Sequence, residues 1–287
     1  TGDYNTALGM YALRYNLTGA HNTATGYKAL TANTTGSFNT ATGYFTLTAN
    51  TTGEYNTAAG YYSLDANTTG SHNTGYGYSA LISNTTGAGN TATGWRSLRA
   101  NTTGTYNNAS GYQSLTSNTV GNYNTGSGYR ALYGTTTGDR NTAMGSNAGD
   151  VITTGGYNVM LGFGTDPSAV DAENQIVIGY TATGHGDNIA VIGNTSMTAW
   201  HPADDGGVDL GSSSYEFKDL YVDGVAYTDA IGFGTVAMTL PTADGSSGQV
   251  LTTDGGGALS WASASSGTTV DGLSDAKSAG TNFTGSL

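Results

Sequence analysis

Asn22-Thr-Ala-Thr-Gly-Tyr-Lys-Ala-Leu-Thr-Ala-Asn-Thr-Thr-Gly-Ser-Phe38 runs without a gap into Asn39-Thr-Ala-Thr-Gly-Tyr-Phe-Thr-Leu-Thr-Ala-Asn-Thr-Thr-Gly-Glu-Tyr55. Set in rows of 17 residues, the chain aligns from Asn5 to Arg140 with no insertion. The units open at Asn5, Asn22, Asn39, Asn56, Asn73, Asn90, Asn107 and Asn124, and a weaker ninth opens at Asn141. Self-similarity at one fixed period marks a solenoid or a fibre, because each unit buries its apolar side only against its neighbours.

The columns of this alignment, counted from Asn5 as the first, say what each position demands. The ninth is leucine in every full unit: Leu13, Leu30, Leu47, Leu64, Leu81, Leu98, Leu115 and Leu132. It is the one large aliphatic ladder and belongs in the core. The fifth is glycine from Gly9 to Gly145, which points to a corner or a close backbone approach. The Asn-Thr-Thr-Gly that closes most rows reads as a turn, with Asn bonding its own backbone and Gly supplying positive φ. The sixth column holds Tyr27, Tyr44, Tyr61, Tyr78, Trp95, Tyr112 and Tyr129, rings that would stack about 4.8 Å apart, the spacing between neighbouring strands. Charges fall in the seventh, tenth, sixteenth and seventeenth columns, which therefore read as solvent-facing. Strand parity is broken, because the third, fifth and ninth columns look buried while the seventh carries Lys28, Arg96 and Arg130. A bulge or corner must lie between the glycine and the leucine. A helical reading fails for want of a 3.6-residue stripe and for excess Gly and Thr.

Composition fits a turn-rich β protein. The 287 residues are 37% hydrophobic and 10% charged, with 46 Gly and 20 Tyr, too aromatic for a disordered chain. The net charge of −12 is unevenly spread. Residues 1–150 are nearly neutral, whereas 151–287 hold only Lys218 and Lys277 against the remaining carboxylates, so character changes near 150. With no cysteine there is no thiol chemistry or disulfide framework. No basic stripe suits nucleic acid and no apolar run suits membrane insertion. Thr1-Gly2-Asp3-Tyr4 reads as the end of a further repeat, as expected of a piece of a longer polypeptide.

One leucine and one or two small residues in 17 is a thin core for a single chain. Three chains meeting on a common axis, with their Ala and Leu columns facing it, are expected to remedy this. The expected fold class is all-β: a 17-residue-repeat β-solenoid or β-roll, forming a homotrimeric fibre, followed by small β modules. The shaft spans 1–157. A continuation with shorter repeats spans 158–200, where Asn158 to Gly162, Asn174 to Gly179 and Asn188 to Gly193 keep the Asn-to-Gly frame, the last two 14 residues apart. Thr165 to Glu173 reads as a looped insert. Small modules fill 201–261 and a Ser/Gly-rich linker fills 262–287.

The N-T-A-x-G-Y-x-A-L rows resemble the shaft repeats of bacteriophage tail fibres, those of marine phages in particular, and more distantly the β-roll heads of trimeric autotransporter adhesins. Val208 to Gly224, with Leu-Gly-Ser-Ser-Ser and Asp-Leu-Tyr-Val-Asp-Gly, and Leu240 to Trp261 are similar to elements recurrent in tail fibres. The resemblance implies a structural protein of the virion, the shaft of a homotrimeric tail fibre that holds a receptor-binding tip away from the particle. Its partners would be other virion subunits and a host cell-surface glycan or protein. The other reading is a bacterial surface adhesin or extracellular filament subunit. The fibre reading expects a rod without free lateral hydrophobic surface, which keeps it soluble. An ice-binding solenoid is disfavoured, because the hydroxyls of adjacent Thr-Thr pairs fall on opposite strand faces and make no single flat array.

No residue set carries catalytic chemistry. His21, His72, His185 and His201 are too scattered for a metal site, and His21 and His72 sit in the aromatic seventeenth column. Asp204, Asp205 and Asp209 lack the spacing of a calcium loop. Ser274-Asp-Ala-Lys277 matches S-x-x-K without its companion motifs, and Gly255 to Gly257 lacks a phosphate-loop lysine. No enzyme activity, metal or cofactor is expected. Asn33, Asn50, Asn67, Asn84 and Asn101 stand in N-x-[ST] sequons, as do Asn16, Asn194 and Asn282. They read chiefly as turn residues, and would carry glycans only on a secreted filament.

Overall fold

The computed structural model describes residues 2–201 without a break and, beyond them, shorter stretches between 210 and 263. The chain divides at His201 into two compact units, and no helix occurs among the described residues. The first unit is a β-solenoid. Its strands are β1 (Thr6–Leu8), β2 (Thr23–Thr25), β3 (Thr40–Thr42), β4 (Thr57–Ala59), β5 (Thr74–Tyr76), β6 (Thr91–Thr93), β7 (Asn108–Ser110), β8 (Thr125–Ser127), β9 (Thr142–Met144), β10 (Val159–Leu161), β11 (Ile176–Ile178) and β12 (Ala190–Ile192). They form one parallel sheet in sequence order. Thr23 pairs with Thr40 and Ala24 with Ala41, and the same step of 17 holds to Val159 with Ile176. Each 17-residue unit is therefore one complete coil of one chain.

Only columns two to four are strand. Alanine, with glycine in a few coils, points inward between two outward residues, as alternation requires. The corner demanded by the broken parity follows at once. The fifth-column glycines have φ near +130°, and the seventh and ninth columns lie in the left-handed region, as at Lys28 (58°) and Leu30 (50°). Backbone N–H groups then donate sideways to the next coil, Leu30 to Thr46 at 3.1 Å and Ala32 to Thr48 at 3.0 Å. Turn bonds such as Asn33 N–H to Leu30 C=O at 3.3 Å close the bend.

The core lies inside each chain. Leu30, Leu47, Leu64, Leu81, Leu98, Leu115 and Leu132 are fully buried, with Ala24, Ala41, Ala58, Ala92 and Ala109 beside them. The apolar columns thus do not face an axis shared between chains, and the thin-core argument for a trimer falls. What makes the single-chain core sufficient is a second, polar half that the thin-core argument left out: two ladders of buried asparagine.

Two readings beyond residue 150 change. Thr165 to Glu173 is no insert but the rest of a tenth 17-residue coil, since Val170 C=O accepts from Thr153 N–H at 2.8 Å, as the equivalent carbonyls do in earlier coils. The first-column residue of the next coil is Gln175, not Asn174: its N–H donates to Asn158 Oδ1 at 2.9 Å. The shorter step of 14 appears only between β11 and β12, where Ile176 pairs with Ala190.

In the second unit, β13 (Ala230–Phe233) pairs antiparallel with β14 (Val236–Thr239), and β15 (Gln249–Thr253) with β16 (Leu259–Ser263). Asp204, Asp205, Asp209, Gly255, Gly257, Ser274, Lys277, Asn282 and most of the expected linker lie outside the described residues.

Candidate functional site

The asparagines of Asn-Thr-Thr-Gly are buried rather than surface turn residues. Asn33, Asn50, Asn67, Asn84 and Asn101 have no exposed area. In Asn67 the Nδ2 donates to Asn50 Oδ1 at 2.8 Å and to Gly70 C=O at 2.9 Å, while its Oδ1 accepts from Asn84 Nδ2 at 2.8 Å. The first-column asparagines form the second ladder. Asn56 Nδ2 donates to the same Gly70 carbonyl at 2.8 Å, and its N–H donates to Asn39 Oδ1 at 3.0 Å. One glycine carbonyl per coil therefore takes both amides and ties the coil shut. The fifteenth-column glycines are needed here for lack of room, since a Cβ on Gly53 would overlap the carbonyl of Gly70. Positive φ is not their role; it belongs to the fifth column. Both Nδ2 hydrogens of each of these five asparagines are used inside the rod, and a glycan on that nitrogen does not fit the folded coil.

The sixth-column rings stack as the spacing predicts. Centroids lie 5.2 Å apart for Tyr27–Tyr44, 5.1 Å for Tyr44–Tyr61, 5.3 Å for Tyr61–Tyr78, 6.2 Å for Tyr78–Trp95, 4.6 Å for Trp95–Tyr112 and 5.3 Å for Tyr112–Tyr129. A second stack runs up the seventeenth column through Tyr4, His21, Phe38, Tyr55 and His72, at 4.9 to 5.0 Å. Both stacks stand on the outside, with rings commonly 40% or more exposed. The expected absence of lateral apolar surface is therefore not met. Between the two stacks lies the outer face of the sheet, whose second and fourth columns carry no charge from Thr6 to Ile178.

Most cations of the rod sit on rings. Arg96 lies 4.1 Å from the Trp95 centroid, Arg130 3.9 Å from Tyr133, Lys28 4.8 Å from Phe45 and Arg14 4.7 Å from Tyr11. Among the described residues the one ion pair is Lys218–Asp219, in the second unit. Acidic groups meet less favourable surroundings. Asp166 is pushed up to about 6 by burial first and by the neighbouring Asp150 carboxylate second, against a hydrogen bond from the Val151 backbone. Its Oδ1 is buried without a partner.

Of the predicted residues, the leucines are gathered inside and the sixth-column rings outside, and no group of three or more metal-ligating side chains occurs among the described residues. The asparagine columns are expected to stiffen the rod and to form turns; that they make two buried, hydrogen-bonded ladders is what the structure adds. Their signal was present in the two asparagines at fixed columns of nearly every unit, more than one turn needs. Comparison with known proteins adds nothing to this geometry: no family model, curated protein or solved structure matches the chain.

Proposed function

We propose that the chain is a structural rod, the shaft of a phage tail fibre or similar virion appendage that holds a receptor-binding tip away from the particle. The observation that supports it most is the unbroken in-register stack of twelve parallel strands. Ladders of Leu, Ala, Asn and aromatic side chains continue through it from coil to coil, so that length follows repeat number. From β1 to β12 the stack rises about 53 Å, at about 4.8 Å per coil. A self-contained core does not need partners, so association in threes would use the outside, where the uncharged sheet face and the aromatic stacks supply area for a second and third copy. The filament reading with a glycan coat is disfavoured by the buried sequon amides.

Light scattering on the full chain together with electron micrographs tests this. A mass three times the 29.0 kDa of one chain and a rise of about 4.8 Å per repeat along the solenoid are expected. A monomeric mass at micromolar concentration removes the trimeric fibre.

A further inference from the structure

The chain holds 20 tyrosines and no cysteine, and the coil step sets some of those tyrosines in parallel pairs. In the sixth column the pairs are Tyr27–Tyr44, Tyr44–Tyr61, Tyr61–Tyr78 and Tyr112–Tyr129, with planes 18°, 5°, 0° and 8° from parallel and centroids 5.1 to 5.3 Å apart. Trp95 separates Tyr78 from Tyr112. In the seventeenth column, above the gap left by Gly89, Tyr106 and Tyr123 lie 5.1 Å apart at 15°. Both members of a pair occupy the same column of successive coils, so one ring is close to a simple translation of the other. Each ortho carbon therefore lies about one centroid spacing from its counterpart. The ring edges are open to solvent: Tyr44, Tyr61 and Tyr112 are 42% exposed and Tyr106 59%.

Other tyrosines share the exposure without the pairing. Tyr55 is stacked just as closely, but on Phe38 at 4.9 Å and His72 at 5.0 Å. Tyr62 meets Tyr61 edge-on at 86°. Tyr76 stands on the outer sheet face between Ala59 and Thr93 of the adjoining coils.

A phenol that gives up one electron and its proton becomes a phenoxyl radical, with unpaired spin on the oxygen and the ortho carbons. Two such radicals join through their ortho carbons, and the hydrogens on the joined carbons pass through water to the two oxygens, restoring both phenols. The pair thus loses two electrons and two protons in all. For free phenols the encounter limits this reaction; rings held against each other by the coil avoid that cost.

We propose that the tyrosine pairs stacked one coil apart are sites of oxidative coupling, which a one-electron oxidant joins as dityrosine, stapling successive coils by carbon–carbon bonds. In a chain without disulfides such a bond closes a loop of 17 residues and restricts the unfolded state as a disulfide would. Each ring couples once, so Tyr27 to Tyr78 accept at most two bonds, Tyr112–Tyr129 one and Tyr106–Tyr123 one. Both members of every pair belong to one chain, so the proposal does not rest on the tail-fibre reading.

Photo-oxidation of the full chain at micromolar concentration with tris(bipyridine)ruthenium(III), followed by digestion and mass spectrometry, tests it. Dityrosine fluorescence is expected, with loss of two hydrogens per bond, bonds confined to the five stacked pairs, and single chains on a denaturing gel. The oxidised protein should unfold at a higher urea midpoint than the parent. Tyr61→Phe keeps the ring and the stack but removes one phenol. It should abolish both bonds to residue 61, leave Tyr27–Tyr44 coupled and take away one of the four possible bonds. Absence of dityrosine in the folded chain, an equal yield in denaturing urea, bonds mainly between chains or at Tyr55, Tyr62 or Tyr76, or an unchanged yield in the Tyr61→Phe protein would each overturn the proposal.

Discussion

At the scale of single residues, the rod is held by side chains that would be poor choices elsewhere. A leucine in the left-handed region, such as Leu81 at φ 53°, costs about 1–2 kcal/mol, and burying its side chain returns about 1.5–3 kcal/mol. Burial wins, though narrowly, and the polar ladders supply much of the remainder. Asn67→Ala would delete three hydrogen bonds, leave Asn50 Oδ1 buried and unpaired and leave Asn84 Nδ2 with only its bond to Gly87 C=O, a loss of about 3–5 kcal/mol. Thr69→Ala, on the exposed column two residues on, should stay within about 0.5 kcal/mol, and urea unfolding of both variants checks the contrast. The ladder also shows where it can be extended. Thr135 stands in the asparagine column, and above the last asparagine, Asn118 Oδ1 and Thr135 Oγ1 are both buried without partners. Thr135→Asn would donate to Asn118 Oδ1 and should raise stability by about 1–2 kcal/mol, read as a higher urea midpoint at unchanged slope. Asp166 works in the opposite sense. Its folded value of about 6 lies above the roughly 3.9 of a free aspartate, so between these values the folded chain keeps a proton that the unfolded chain has released. Stability from this group is full below about pH 4 and is lost as pH rises through about 6. Thermal unfolding should therefore show a higher midpoint at pH 4.5 than at pH 7.5 from this group, and Asp166→Asn, neutral throughout, should narrow that difference.

At the scale of the coil, the decisive constraint is the fifth-column corner. Gly94 has φ +130°, and a Cβ there would run into the carbonyl of Gly111. Gly94→Ala combines strain of about 1–3 kcal/mol with displacement of the adjoining coil, whereas Thr93→Val, one residue earlier and outward-facing, should be tolerated. Circular dichroism melts of the pair check this: a drop confined to Gly94→Ala is expected, and equal drops would show that the corner carries no special strain. The same corner explains how much was legible in the residues alone. Columns occupied by one residue type declared themselves, so the period, the inward leucines and the stacked rings were read directly. Asn-Thr-Thr-Gly was not, because an asparagine in a polar tetrapeptide looks the same on a surface turn as in a buried ladder; only pairing donors with acceptors across coils separates the two. The tenth coil was hidden for a different reason. Pro167, Ser168 and Ala169 replace its consensus residues, while the backbone hydrogen bonds that keep it in step involve no particular side chain.

At the scale of the whole molecule, a stack in which each coil touches only its neighbours behaves as a one-dimensional array. Length and stability should then change by whole coils and not by fractions. Removing Asn73 to Gly89 joins His72 to Asn90 and keeps every column in step. The first-column Asn56 meets Asn90, the leucine Leu64 meets Leu98, and in the aromatic stacks Tyr61 meets Trp95 while His72 gains Tyr106 as its neighbour, which erases the gap at Gly89. This variant should fold, lose about 4.8 Å of length, and melt close to the parent. Deleting Thr85 alone removes one residue between the asparagine column and the glycine carbonyl it holds. The Asn84 amide then no longer reaches the carbonyl of Gly87, now 3.0 Å away, and every later column is out of step with every earlier one. Small-angle scattering for length and calorimetry for the transition distinguish the two: a long deletion should be milder than a short one. If the single-residue deletion proves the milder, the coil stack is not held by its side-chain register.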